Sequence, residues 1–218
     1  MVTYLLKKSY QLKDLKEKDF KDLWGDHGVF TTMWIYNSPP RILFFDEHIK
    51  NLVRSIKSYK IFKPNIKLQI LKLIKINLDP KRKYNHLLRV ALNNNTISIS
   101  LRKRIKPNSN FNLKLVNLKR NKPEFKNLKY KKILSYLYKM DTSKSDIGLC
   151  SNKKIYETGT SNIFFIKNNK VFSPKKNYYR GITYKFFNSK IKKIIKKDIN
   201  ISSLKNFDEI ILIGSGKG

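Results

Sequence analysis

Residues 157–166, ETGTSNIFFI, set a carboxylate directly ahead of a small-residue turn that runs into an apolar strand. Acids are scarce in this chain, with 15 Asp and Glu against 48 Lys and Arg, so one at the mouth of a strand is informative. The plain reading is a solvated turn residue. The specific reading is a carboxylate held for a functional role.

Around this segment the chain reads as mixed helix and strand. Residues 29–36 (VFTTMWIY) are β-branched and aromatic and predict a strand. Asn37-Ser38-Pro39-Pro40 predicts a turn, and residues 41–45 a second short strand that completes a hairpin. Asp46 is a candidate N-cap, with Ile49, Leu52, Val53 and Ile56 at helical spacing behind it. Residues 66–76 repeat the helical pattern. Strands are expected at 86–92, 96–102 and 111–116, which makes the first half an α+β domain. Residues 117–129 are polar, contain Pro123 and lack a period. Beyond them the pattern predicts a helix at 131–140, strands at 146–150, 162–167 and around Val171, a helix from near Gly181, and a last strand at 209–213. The expected organisation is a first domain over 1–116, a linker over 117–129 and a second domain over 130–218.

The net charge of +33 invites a nucleic-acid or membrane-surface reading, because clustered cations release counterions from a polyanion. The excess lysine is instead spread along the chain with abundant Asn, Ile, Phe and Tyr, as an AT-biased coding sequence would produce. No block of like charge dominates, and residues 190–197 (KIKKIIKK) alternate with Ile and read as an amphipathic helix end. Neither nucleic acid nor membrane is the expected partner. Cys150 is the only cysteine, which excludes an intrachain disulfide and suits a reducing compartment. No apolar run approaches the roughly 20 residues of a membrane span, and the charged N-terminal segment lacks the apolar stretch of a signal peptide. A cytoplasmic location is expected. His27, His48 and His86 are too scattered to suggest a metal site, and His48 reads as structural.

Four ordered segments carry a resemblance. They are Gly28-Val29-Phe30-Thr31-Thr32-Met33 followed by Glu47-His48 and Leu52; Lys132-Ile133-Leu134-Ser135-Tyr136-Leu137; Glu157-Thr158-Gly159-Thr160-Ser161-Asn162-Ile163-Phe164; and Ser173-Pro174 with Gly181-Ile182-Thr183. Together they resemble the class IV aminotransferases, the fold type IV pyridoxal-phosphate enzymes related to D-amino-acid and branched-chain aminotransferases. The resemblance implies a two-domain α+β fold like that of D-amino-acid aminotransferase, pyridoxal 5'-phosphate as cofactor, a small-molecule substrate and a homodimer. It also implies either a fragment or a C-terminal domain lacking its closing elements, because relatives continue past the segment matching GSGKG.

The chemistry states what each matched residue would do. A lysine must hold the cofactor covalently and later move a proton. Lys132 is assigned by its local pattern, in preference to Lys129, Lys131 and Lys139; Ser135 stands where relatives have Asn. Glu157 would keep the pyridine nitrogen protonated, so that the ring can act as an electron sink. Ile182 and Thr183 at a helix start would bind the phosphate through amides and a hydroxyl, joined by Ser215 and Gly216. GSGKG itself lacks the spacing of a nucleotide-binding loop. Relatives carry a phosphate-binding Arg where Asn51 stands; Arg54, one turn later, is the candidate replacement.

Three reactions compete within the family. The Phe30-Thr31-Thr32 run is closest to aminodeoxychorismate lyases, and Trp34 stands where many relatives place Arg, as does Tyr184. The expected activity is therefore conversion of 4-amino-4-deoxychorismate to 4-aminobenzoate and pyruvate in folate biosynthesis. Phe30, Thr32 and Arg89 are the expected substrate contacts. The alternatives are a branched-chain or D-amino-acid aminotransferase, and an inactive basic relative with a binding role.

Overall fold

The computed structural model describes residues 3–61 and 65–216. Its contacts divide the chain into two compact units, Met1–Arg104 with Phe125–Tyr130, and Ile105–Glu124 with Lys131–Gly218.

The first unit is an antiparallel sheet with two helices. In chain order its elements are β1 (Tyr4–Gln11), β2 (Glu17–Lys18), β3 (Val29–Asn37), β4 (Arg41–Ile42), α1 (Phe45–Ser58), α2 (Ile66–Asn77), β5 (Tyr84–Leu92) and β6 (Thr96–Lys103). The strands run in the order β2-β1-β6-β5-β3-β4. Side chains alternate across a strand. Val29, Met33 and Ile35 of β3, Leu88, Val90 and Leu92 of β5, and Ile97, Ile99 and Leu101 of β6 therefore enter one core with Ile49, Leu52 and Ile56 of α1 and Ile70 and Leu73 of α2. The opposite register positions are more polar. Ser9 and Ser98 bond each other at 2.8 Å and tie down the segment before β3, through Lys21 N to Ser9 Oγ and Ser98 Oγ to Lys21 O.

The returning segment Phe125–Tyr130 is stitched to the start of β3. Phe30 N donates to Lys126 O, Leu128 N to Gly28 O, and Gly25 N to Leu128 O. Gly28 is required at this crossing: a Cβ there would lie 2.4 Å from Leu92 O and 2.6 Å from Leu128 Cδ1.

The second unit holds β7 (Asn112–Asn117), α3 (Lys131–Leu137), β8 (Ser145–Ser151), β9 (Lys154–Thr158), β10 (Asn162–Lys167), β11 (Lys170–Pro174), α4 (Ile182–Lys190), β12 (Ile194–Lys197), β13 (Ile199–Asn200), a 3-10 turn (Ile201–Asn206) and β14 (Glu209–Ile213). Two four-stranded sheets form, β13-β9-β8-β7 and β12-β11-β10-β14. Cys150 and Ile155 of the first meet Ile163 and Phe165 of the second. Phe164, on the other face of β10, packs with Tyr178, Tyr184 of α4 and Ile213. Burial on both faces explains why β10 is an unbroken apolar run.

Several expectations change. Helix α1 begins at Phe45, so β4 is shorter than expected and Asp46 is not an N-cap. It lies in the first turn, paired with Lys67 at 2.7 Å. The strand expected at the end of the first domain, β7, pairs in parallel with β8 in the second unit, and the expected linker is divided between the units. Helix α3 stops at Leu137. The stretch read as a helix end, KIKKIIKK, ends α4 and then forms β12, which lies parallel to β11. Its β-branched isoleucines satisfy a strand better than a helix. Among the described residues no helix is long and apolar enough to cross a membrane.

Gly28→Ala is expected to destabilise the protein by about 1–3 kcal/mol through overpacking against immobile backbone. Urea unfolding checks it: the midpoint should fall with the slope unchanged, and an unshifted midpoint would show that the crossing relaxes freely.

Candidate active site

One end of the second unit gathers most of the residues singled out in the sequence. Glu157 is the penultimate residue of β9 and is buried, its side chain 6% exposed. Oε1 accepts from Arg120 Nε at 2.8 Å, and Oε2 from the Tyr179 amide at 3.2 Å. The solvated-turn reading therefore fails.

The turn after Glu157 is fixed by a second buried acid. Asp146 Oδ2 accepts the hydroxyls of Thr158 at 2.9 Å and Thr160 at 2.6 Å, while Oδ1 accepts the Ile147 amide at 2.8 Å. Thr158 Oγ1 in turn accepts the amides of Thr160 and Ser161. Gly159 is needed here, since a Cβ would come within 2.9 Å of both Asp146 Oδ1 and Ile147 Cγ1.

Asn162 opens β10 and joins two further elements to this turn. Its Nδ2 donates to Tyr179 O at 2.6 Å, and its Oδ1 accepts the Gly181 amide at 3.1 Å. Gly181 caps α4, and a Cβ on it would lie 2.8 Å from Asn162 Oδ1. The start of α4, with Ile182 and Thr183, is thereby pinned beside β10. Asn162 also pairs with Ile213 of β14, so Ser215 and Gly216 leave the sheet at the same end. A Cβ on neighbouring Gly214 would be 3.2 Å from Ser161 Oγ. Lys217 of the GSGKG segment, like Gly218, lies outside the described residues.

Lys132 lies in the first turn of α3, on its exposed side; Ile133 and Leu137 form the buried side. Ile133 Cγ2 is 3.3 Å from where a Gly159 Cβ would stand, which places α3 against the same turn. Lys129 belongs to the first unit. Its amide donates to Asn127 Oδ1 at 3.1 Å and its Nζ to Gly25 O at 2.7 Å, and its neighbour Leu128 is fully buried.

In the first unit, Phe30 and Thr32 share one face of β3, and Arg89 of β5 stands opposite Thr32. Arg89 is buried, with Nη2 on Asp22 Oδ1 at 2.6 Å and the guanidinium over the Trp24 ring at 4.5 Å, while Nε lacks an acceptor. Trp34 donates its indole N–H to Asn85 and lies under Arg104. Arg54 is not on this face. It projects from α1 with its guanidinium over Phe125, and Asn51 is buried one turn earlier. His48 bonds Thr31 Oγ1 through Nδ1 at 2.9 Å, on the core face of β3.

Three residues in these arrangements carried no role in the sequence reading. Asn162 lay inside the quoted motif, and Asp146 could have been sought as an acid opening an apolar strand. Arg120 had no local signal, being one cation among 48.

A buried carboxylate at a strand end, a helix start carrying a glycine against an amide, and a small-residue loop at the same end of the sheet place an anion near main-chain amides that can receive one. The sequence profile of the amino-transferase class IV family matches residues 28–218, and the chain belongs to that family. Enzymes of the family use pyridoxal 5'-phosphate. Among solved structures, the branched-chain aminotransferase of Thermoproteus uzoniensis, with norvaline, is similar at TM-score 0.77 and 15% identity, over 96% of this chain and 84% of that one. A proposed 4-amino-4-deoxychorismate lyase of Legionella pneumophila gives 0.71 and 18%, over 88% and 80%. Another from Haemophilus somnus gives 0.67 and 17%, over 88% and 97%. No curated protein sequence matches the chain. The residues present fit the cofactor. Glu157 supplies a fixed buried anion, and the first-turn amides of α4 have no acceptors within the helix.

Burial lowers the pKa of His48 from 6.5 to about 3, with Lys126 adding to the effect. The unfolded chain therefore binds a proton between these values that the folded protein refuses, and stability falls as pH drops through 6.5. From pH 7 to 5 the loss from this residue is expected to be about 2 kcal/mol. Urea unfolding of wild type and His48→Gln at both pH values measures it: the variant should show the smaller decline, and parallel declines would contradict the assignment.

Proposed function

We propose that this protein is a pyridoxal-phosphate-dependent lyase that converts 4-amino-4-deoxychorismate to 4-aminobenzoate and pyruvate. The observation that carries the cofactor reading is the gathering of Glu157, the start of α4 and the Ser215–Gly216 loop around Asn162. The lyase reading rests on Phe30-Thr31-Thr32 and on Trp34. An indole in that place removes a cation suited to gripping an amino acid's carboxylate.

When bound, the cofactor supplies an electron sink. The chain does the rest. Lys132 is the proposed amine that holds the cofactor covalently and then takes the proton from the aminated ring carbon of the substrate. Glu157 holds a proton on the ring nitrogen. The amides of Ile182 and Thr183, the Thr183 hydroxyl, Ser215 and Gly216 grip the phosphate. Phe30 and Thr32 line the substrate side. Arg89 keeps donor capacity beyond its bond to Asp22, since its Nε has no acceptor, and is proposed to take a substrate carboxylate. A cytoplasmic homodimer completes the reading.

Lys129 is a second claimant for the covalent amine. Its backbone is held by the stitched segment beside β3 and its Nζ by a main-chain carbonyl, and a nucleophile benefits from such fixed placement.

Borohydride reduction with cofactor present, followed by peptide mapping, distinguishes the two. The adduct is expected on Lys132 and should vanish in Lys132→Ala. An adduct on Lys129 transfers the role there, and no adduct on either removes the cofactor-holding function from this segment.

The reaction is tested by giving 4-amino-4-deoxychorismate without any keto acid. Pyruvate and 4-aminobenzoate should appear in equal amounts over many turnovers, because elimination returns the cofactor to its starting form. Sustained glutamate from leucine or D-alanine with 2-oxoglutarate, and no pyruvate in the first assay, would replace the lyase with an aminotransferase.

A further inference from the structure

Of the ion pairs among the described residues, one is buried on both sides. Arg120 and Glu157 are each 6% exposed, whereas every other pair has at least one partner 38% exposed or more. In a chain with this much cationic surface a buried arginine is not needed for solubility. Nor is it a strong source of stability, because desolvating two charges offsets most of their attraction. Its geometry indicates what else it does.

Arg120 is fixed on three sides. Nε donates to Glu157 Oε1 at 2.8 Å and Nη2 to Pro123 O at 2.9 Å, and the guanidinium lies 5.8 Å from the centre of the Tyr179 ring. Tyr179 in turn gives its amide to Glu157 Oε2 at 3.2 Å and its carbonyl to Asn162 Nδ2. The carboxylate is thus aimed by two donors from different segments, one after β7 and one before α4. An ionised carboxylate offers about four lone-pair directions, so a cationic N–H can join the donors that aim it.

We propose that Arg120 is a positioning residue that keeps the Glu157 carboxylate charged and aimed at the protonated ring nitrogen of the cofactor. The inference rests on the cofactor reading of Glu157 given above. Without the guanidinium, the buried Glu157 carboxylate would lose the cation 2.8 Å from Oε1 and would turn or take up a proton more readily. Either change removes the acceptor that the ring N–H requires. A lysine in place of Arg120 keeps the charge but cannot reach both Glu157 and Pro123 O as a planar fork does.

The test compares affinity for pyridoxal 5'-phosphate with that for the analogue whose ring nitrogen is replaced by C–H, followed by fluorescence near pH 7. The two share the aldehyde and the phosphate, so their ratio reads only the contact to the ring nitrogen. A merely structural loss would weaken both alike. Wild type should prefer the nitrogen-containing form by roughly tenfold or more, the value of a charge-assisted hydrogen bond. Glu157→Gln should abolish most of that preference. Arg120→Met should reduce it by at least about threefold, Arg120→Lys should retain more of it than Arg120→Met, and the double variant Arg120→Met with Glu157→Gln should lose no more than Glu157→Gln alone. If Arg120→Met does not fold, as thermal melting will show, Arg120→Lys carries the test and should give a ratio between those of wild type and Glu157→Gln. An unchanged ratio in the Arg120 variants, with Glu157→Gln still affected, overturns the role of Arg120 alone. A wild type that does not distinguish the two compounds overturns the Glu157 reading and the proposal with it.

Discussion

The carboxamide of Asn162 is the interaction on which the working end of the second unit depends. It is one of the few side chains that can both donate and accept in fixed directions, and both capacities are used. Nδ2 holds the carbonyl of Tyr179 and Oδ1 holds the amide of Gly181. Those two bonds set where the chain enters α4, while the same residue's backbone opens β10 against β14. An aspartate in this place could not donate to Tyr179 O, and a leucine would remove both bonds, leaving only the Gly181 amide's own bond to Tyr179 O to hold the turn. The glycine at 181 follows from the same contact, since the Oδ1 atom occupies the space a Cβ would need. Asp146 does the same for the turn between β9 and β10, drawing two threonine hydroxyls and an amide onto a single carboxylate.

The charge of this protein is mostly a property of its surface. Its exposed or half-exposed ion pairs, such as Lys8–Glu17 and Lys154–Asp198, contribute little, because solvent screens them. Inside, the structure manages without many cations. At Tyr184, where relatives often have arginine, Tyr178 donates to Tyr184 and the Tyr184 hydroxyl lies 3.1 Å from Ser173 Oγ. Burial and the neighbouring phenol push the Tyr178 pKa upward, which keeps the Tyr178 phenol a donor. Among the described residues two buried guanidiniums stand on carboxylates, Arg89 on the half-exposed Asp22 and Arg120 on the buried Glu157.

Legibility in the sequence followed how local the cause was. Strands β3, β5, β6, β10 and β14 were readable because their apolar runs and alternation report burial directly. Helices α1 and α2 were readable from the spacing of Ile49, Leu52 and Ile56 and of Ile66, Ile70 and Leu73. Strand β1 was hidden by its lysines, since only a portion of each strand face is covered and long charged side chains can lie along it. Strand β12 was hidden because KIKKIIKK satisfies a helical pattern as well as a strand, and only its parallel pairing with β11 decides between them. Of the proposed site residues, Glu157 stood out as a scarce acid before a small-residue turn, whereas the start of α4 and Ser215 were marked by the family resemblance. Arg120 did not, because its meaning comes from a carboxylate 37 residues away. Arg54 was chosen by helical spacing alone, which fixes the side of α1 from which it projects but not the ring on which it comes to rest.

The chain passes from one unit to the other after Arg104, returns at Phe125 and leaves again after Tyr130. The six residues of the return visit cover the glycine at the start of β3 and supply a fully buried leucine. During synthesis the first unit therefore cannot close until residues well beyond its last strand have emerged. The first strand of the second unit, β7, is made before the first unit is finished, yet its partner β8 does not exist until after the first unit can close. The order of assembly is thus interleaved rather than sequential, and no single cut in the gene yields both units whole.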